Sequence, residues 1–174
     1  MVTYRTPEIA EAAQVAKLGR DTFVESFGHL YSSEDLALFI AQVYQPNIIA
    51  AELQNPQLRY MIAQADGQMV GLCKIGYGVT LDYDPGTRRV VELKQLYVHN
   101  TAHGTGVGQA LMDWATDMAA NDKADEMLLS VYSDNPRAQR FYTRNGFAKY
   151  ADTFFMVGNQ RDLEFLFLKI MPKK

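Results

Sequence analysis

Three glycines at alternate positions, Gly104, Gly106 and Gly108, mark the point where this chain turns from an extended segment into a helix. Upstream, Val90–Val98 is apolar and β-branched enough to read as a long strand. Downstream, Val107, Ala110, Leu111, Trp114, Ala115, Met118 and Ala119 recur at three- and four-residue spacing, the stripe of an amphipathic helix. Without a Cβ, the backbone at such glycines can bring its amides close to a bound group that any side chain would block. The helix start that follows adds free N–H groups and a partial positive charge, which favour an anion and phosphate above all. A glycine-rich turn without a ligand is the competing reading, and the glycines alone leave both open.

Two familiar phosphate loops fail residue by residue. A nucleotide P-loop needs Lys and then Ser or Thr after its last glycine, where this chain has Gln109 and Ala110. A dinucleotide fingerprint needs its third glycine at position 109 and an acidic residue at the end of the next strand. Gln109 occupies the first place, and Asp125 and Glu126 precede their strand.

Around this junction the chain alternates between the two periods. Val2–Arg5 reads as a strand, with Pro7 in the first turn of a helix striped by Ile9, Ala12, Ala13, Ala16, Leu18, Phe23 and Phe27. A second helix carries Leu36, Phe39, Ile40 and Val43, and Pro46 opens a third through Ile49, Ala50 and Leu53. Arg59–Gln64 and Met69–Tyr77 read as a hairpin about Asp66-Gly67. Met127–Tyr132 is an apolar strand, and Asn135-Pro136 opens a helix that Asn145-Gly146 closes. Phe147–Val157 and Leu163–Ile170 are the final strands, separated by Gly158-Asn159. The order predicts an α/β (α+β) fold with a mixed sheet. At 174 residues without repeats or linkers, 1–174 is expected to be one domain. No apolar run of about 20 residues is read as a membrane span.

Composition narrows the chemistry. A formal charge of −3 argues against nucleic acid. The single cysteine, Cys73, lies in an apolar strand and cannot form an intramolecular disulfide or a cysteine-rich metal site. A reduced, cytoplasmic protein with no metal and no membrane partner is expected.

The segment from Ser130 to Phe147 supplies the second half of a signature. Asn135, Ala138, Phe141, Tyr142, Gly146 and Phe147 fill a pattern of Asn, two residues, Ala, two residues, Phe-Tyr, three residues, Gly-Phe. Together with His103, Gly106 and Gly108, in order and on matching elements, these residues resemble the GNAT superfamily of N-acetyltransferases. Read alone, Asn135 is a helix cap and Tyr142 a buried core tyrosine. The resemblance assigns Asn135 to a cofactor contact and Tyr142 to a general acid, with Phe141 and Phe147 structural.

The same resemblance implies a mostly antiparallel sheet, splayed between its central strands, with helices on both faces. Acetyl-CoA as co-substrate would lie in the splay, its pantetheine arm along Leu96, Tyr97 and Val98. Its pyrophosphate would rest on the loop of His103, Gly104, Thr105, Gly106, Val107, Gly108 and Gln109. Glu92, on the strand lining the thioester, is the candidate base, directly or through water; a solvent-facing strand glutamate is the alternative.

Thr22–Phe27, Val91–Val98, His103-Gly104 and Phe154–Gly158 further resemble bacterial spermidine/spermine N-acetyltransferases of the PaiA type. That resemblance implies a small-molecule amine, with Glu25 and Phe27 as candidate substrate contacts. The acidic residues Asp21, Glu25, Asp82 and Asp84 fit a polycation and equally fit solvated surface charges, and the sequence leaves both open. A protein or peptide acetyltransferase and a non-catalytic CoA-binding domain stay open, as does a homodimer.

Overall fold

Asp66 and Gly67 both take positive φ, 50° and 78°, the geometry of a tight hairpin turn. They join strands β2 (Leu58–Ala65) and β3 (Gln68–Tyr77) in register, with Ile62 opposite Leu72. This hairpin is the centre of one half of the computed structural model, which describes residues Met1–Pro172. Strand β1 (Val2–Arg5) pairs with β2, and β4 (Val90–Val98) pairs with β3, both antiparallel. The other half holds β5 (Glu126–Tyr132), β6 (Ala148–Val157) and β7 (Gln160–Ile170), with β7 between its two antiparallel neighbours. Among the described residues the sheet runs β1-β2-β3-β4-β5-β7-β6, seven strands, and its one parallel pair, β4 with β5, joins the halves.

Helix α4 (Val107–Asn121) makes the crossover between β4 and β5. Its buried stripe of Leu111, Met112, Ala115 and Ala119 covers Ile75, Val91, Leu93, Met127 and Leu129 on one sheet face. Helix α5 (Pro136–Arg144) packs Ala138, Phe141 and Tyr142 against the same cluster. On the other face, α1 (Ala12–Phe27) and α3 (Pro46–Gln54) bury Val15, Ala16 and Ile49 against Tyr60, Ile62 and Leu72. Phe23 of α1, Phe39 of α2 (Ser33–Val43), Tyr44 and Val157 form an aromatic cluster that ties both helices to β6. At the start of α2, the Asp35 carboxylate accepts from the Asn159 N–H at 2.7 Å, latching the helix to the β6–β7 turn.

Three details differ from the sequence reading. Pro7 lies ahead of a short 3₁₀ turn, Ile9–Glu11, and the helix proper begins at Ala12. Glu11 fixes that entry: its carboxylate accepts from the Glu8 N–H at 2.8 Å and pairs with Arg5 at 2.6 Å. Strand β7 starts at Gln160, because the turn is only Gly158-Asn159 and the polar residues 160–162 pair with β6. The stretch Ser33–Gln54, 22 residues, is long and apolar enough by length and composition to be a candidate span, which the sequence reading missed. Pro46 divides it into α2 and α3, and Phe39, Tyr44 and Ile49 along it are buried.

The packing of α4 on β3 is closest at Gly71, where an added Cβ would stand 2.8 Å from Val107 Cγ1 and 3.0 Å from Leu111 Cδ1. Gly71→Val therefore overfills the core beneath the glycine loop. Urea denaturation is expected to show a loss of about 1–3 kcal/mol.

Candidate active site

The parallel pairing of β4 with β5 is short. It holds Val90 to Glu126, Val91 to Met127 and Glu92 to Leu128, and then stops. Strand β4 runs on to Val98 and β5 to Tyr132, so the strands part over their remaining length. A cavity of about 1030 Å³ opens along this parting. Leu96, Tyr97 and Val98 line it from β4, Ser130, Val131 and Tyr132 from β5, and Asn135, Ala138, Phe141 and Tyr142 from the segment that follows.

The glycine loop closes one end. His103, Gly104, Gly106, Gly108 and Gln109 line the cavity; Thr105 and Val107 do not. The Thr105 hydroxyl turns back to the Ala102 carbonyl at 2.7 Å, and Val107 is buried in the core. Gly104 and Gly106 have φ of 77° and 88°, the left-handed region, and a Cβ on either would meet nothing within 4 Å. A Cβ on Gly108 would touch only Val98 Cγ2, at 3.6 Å. The loop backbone thus faces open space at the N-terminus of α4, the arrangement that suits an anion. His103 Nε2 lies 2.8 Å from the Val98 carbonyl oxygen, fastening the loop to the end of β4. Gln109 donates to Asn145 at 2.7 Å, joining the loop to the end of α5.

Asn135 performs its capping role, accepting from the Ala138 N–H at 3.1 Å, and also faces the cavity. Tyr142 projects from the last turn of α5, edge-on to Phe141 and Phe147 with centroids 5.4 and 6.1 Å away. Burial, first, and then the nearby Cys73, Tyr97 and Glu164 push its phenol well above the ordinary value, so it stays protonated. Burial likewise raises Tyr97 to about 12, against the Tyr44 hydroxyl, which donates to it at 3.3 Å. Cys73 is buried and its thiol is pushed up, which leaves it inert.

Glu92 is placed otherwise than the sequence reading expected. It is buried but does not line the cavity. Its carboxylate accepts from the Thr80 N–H at 2.7 Å and the Thr80 hydroxyl at 2.8 Å, and it pairs with Lys94 at 2.9 Å. A carboxylate so occupied is turned toward Thr80 and Lys94 and is not presented to a ligand in the cavity. Glu25 is exposed and away from the cavity, bonded to the Asn100 N–H at 3.3 Å and to the Asn100 side chain. Asp21 pairs with Lys17 and Arg20, Asp84 accepts from Gly86, and Asp82 is exposed; none of the three lines the cavity. Phe27 does line it.

The sequence reading missed the rest of that wall. Phe23, Tyr31, Phe39 and Phe155 line the cavity as well, and Glu164 of β7 brings a carboxyl to it. One signal was available: Glu164 is the lone charge within Leu163-Glu-Phe-Leu-Phe-Leu168, an interruption that an apolar strand does not carry without cause.

Known proteins share this plan. A family model described as "Acetyltransferase (GNAT) family" matches residues 17–147. An uncharacterized N-acetyltransferase of Mycobacterium tuberculosis is 29% identical over 161 residues, covering 92% of this chain and 98% of that one. Another, from Lactobacillus delbrueckii subsp. lactis, is 24% identical over 159 residues, 88% of each. Among solved structures, the PaiA N-acetyltransferase of Thermoplasma acidophilum, in complex with coenzyme A, superposes with a TM-score of 0.78 at 18% identity. It covers 98% of this chain and 99% of its own. With most of its length matched by the family model and its sheet parted between β4 and β5, the chain belongs to the GNAT acetyltransferase family.

Proposed function

We propose that this protein transfers the acetyl group of acetyl-CoA to a primary amine of a small molecule. One observation carries the reading: an open glycine cradle and a protonated phenol face the same gap between β4 and β5. Acetyl-CoA, when bound, supplies a thioester carbon open to attack and a thiolate leaving group. The amides from Gly104 to Gln109 would hold its pyrophosphate, with Asn135 a further contact. Beyond Glu92 the β5-facing edge of β4 has no strand partner. Along Leu96, Tyr97 and Val98 it would pair with an amide-bearing arm, as a sheet edge pairs with an added strand, up to the Val98 carbonyl that His103 occupies. A main-chain N–H near Tyr97–Val98 would steady negative charge on the reacting oxygen.

Tyr142 is the acid in this reading. Its raised pKa keeps the phenol protonated and in place as the donor. Because a thiol's pKa, near ~8.5, lies below the phenol's usual ~10, the transfer to sulfur is uphill and is driven by C–S cleavage and by the proton that nitrogen returns to the Tyr142 oxygen. Glu92 is better suited to fixing Lys94 and Thr80 at the point where the strands part. A polyamine is the finer acceptor reading, supported by the short stretches Thr22–Phe27, Val91–Val98, His103-Gly104 and Phe154–Gly158 that resemble spermidine/spermine N-acetyltransferases. A peptide or protein amine is the second reading. The aromatic enclosure by Phe23, Phe27, Tyr31 and Phe39 favours a small molecule over it. The lone buried Cys73 suits a reducing compartment such as the cytoplasm. A mass-spectrometric product scan with acetyl-CoA and a panel of polyamines, arylalkylamines, peptides and aminoglycosides tests the assignment.

Two substitutions separate cradle from acid. Gly108→Val adds a side chain with room on its protein side, so the fold should survive. Calorimetry should then show acetyl-CoA binding at least about tenfold weaker, roughly 1.4 kcal/mol; unchanged affinity would remove the cradle from the site. Tyr142→Phe keeps the ring and should leave that affinity alone while single-turnover rates fall roughly 10²–10⁴-fold. A Phe variant with wild-type rates would leave Tyr142 a packing residue.

A further inference from the structure

We propose that Glu164 is the carboxylate that meets the acceptor amine and takes its proton. The inference rests on the acetyltransfer reading and names the acceptor half of the same site. Among the described residues lining the cavity, Glu164 is the one acid. It lies directly opposite Tyr132 in the β5–β7 ladder, and Ser130 shares that sheet face. Phe27 closes edge-on over Tyr132 with centroids 6.2 Å apart, and Tyr31 comes in from the turn after α1. A carboxylate set among aromatic faces suits a single ammonium, which gains from both.

The neighbouring acids are already engaged. Asp162, two residues away on β7, accepts from the Tyr31 hydroxyl at 2.6 Å and from Gln160 at 2.8 Å. Glu92 is held by Thr80 and Lys94. None of the ion pairs among the described residues includes Glu164. The groups that face it are Ser130 and Tyr132 on β5, Tyr31, Tyr97 on β4, Tyr142 on α5, and Asp162 and Thr153 in the β6–β7 ladder. Burial, first, and then Asp162 hold its carboxyl above the ordinary range, while Ser130 works the other way. A carboxylate with raised affinity for protons is the better acceptor from an ammonium ion. Glu164 lines the same cavity as Tyr97 and Tyr142.

The protons balance. The arriving ammonium gives one proton to Glu164, freeing the nitrogen lone pair. The C–N bond forms, the C–S bond breaks, and sulfur takes the Tyr142 proton. Nitrogen sheds a second proton, which returns to the Tyr142 oxygen, and Glu164 releases its own to solvent. The sum is one amide, one thiol and one free proton.

The test compares wild type, Glu164→Gln, Glu164→Asp and Glu92→Gln, using spermidine and benzylamine as acceptors from about pH 5 to about pH 10. The base must be ionised, so wild-type kcat/KM should fall as pH drops through the raised pKa of Glu164. Glu164→Gln should lose that acidic limb and about 10²–10⁴-fold in rate near neutrality. Its residual rate should climb with pH toward the amine's own pKa, near ~10. Glu164→Asp should recover part of the loss, and Glu92→Gln should keep the limb. Independently of turnover, carboxyl-¹³C NMR of the ligand-free protein should show one glutamate titrating above the ordinary range, and that signal should vanish in Glu164→Gln. Acetyl-CoA affinity measured by calorimetry should match wild type, which marks the variant as folded. A Glu164→Gln profile unchanged from wild type, or a limb lost in Glu92→Gln instead, overturns the proposal alone. A wild-type protein that acetylates neither amine nor any member of the wider panel overturns the acetyltransfer reading and this proposal with it.

Discussion

The rest of the site depends on how short the parallel ladder between β4 and β5 is. After Glu92 and Leu128 the strands separate, and a sheet that was continuous becomes two blades joined at one end. Such a gap leaves main-chain N–H and C=O groups along two strand edges, and a buried edge must find partners. His103 takes the carbonyl of Val98, closing the edge at its far end. The core beneath is what keeps the blades apart: α4 seals one face with Leu111, Met112 and Ala115, and the Phe23–Phe39–Tyr44 cluster seals the other. Neither layer can close the gap without unpacking.

The buried and half-buried carboxylates divide by their partners. Glu52 is matched by Lys74 at 3.0 Å and by the Tyr60 hydroxyl. Glu126 accepts from Tyr83 at 2.5 Å and pairs with Arg88 at 3.3 Å. Glu92 has Lys94 and Thr80. Each has a cation against it, the usual condition for keeping a charge inside a fold. Among the described residues Glu164 has no ion-pair partner, and burial and the Asp162 carboxylate, against the Ser130 hydroxyl, disfavour its ionised form.

Much of this was legible in the sequence because it is local. The glycine spacing, the α4 stripe, the Asn135-Pro136 start and the Gly146 stop each depend on a few adjacent residues, and the structure reproduces them. The register of β7 was harder, since Gln160–Asp162 are polar and pair only because the turn before them is two residues long. What the sequence could not show was which carboxylates share a cavity. Glu25 and Phe27 lie two residues apart on one helix, yet Phe27 reaches the cavity and Glu25 reaches Asn100, because the helix turns them to different sides. Glu92 and Glu164 sit on strands separated by β5, and their contrast rests on Thr80 and Lys94 closing over one of them.

The latch between Asp35 and the β6–β7 turn bears on how any rate measured against pH should be read. Helix α2 carries Phe39, Gln42 and Val43 on the cavity wall, so its attachment sets the width of the acceptor end. The Asn159 N–H, first, and then the Ser32 hydroxyl hold the Asp35 carboxyl below its usual range. A depressed carboxylate contributes its bond above the unfolded-state value and loses it only as pH falls through the lower folded one. Glu164 titrates on the other side of that range. The two shifts run in opposite directions: as pH falls, Glu164 begins to take up its proton before Asp35 does, so the latch between α2 and the β6–β7 turn is the later of the two to be lost.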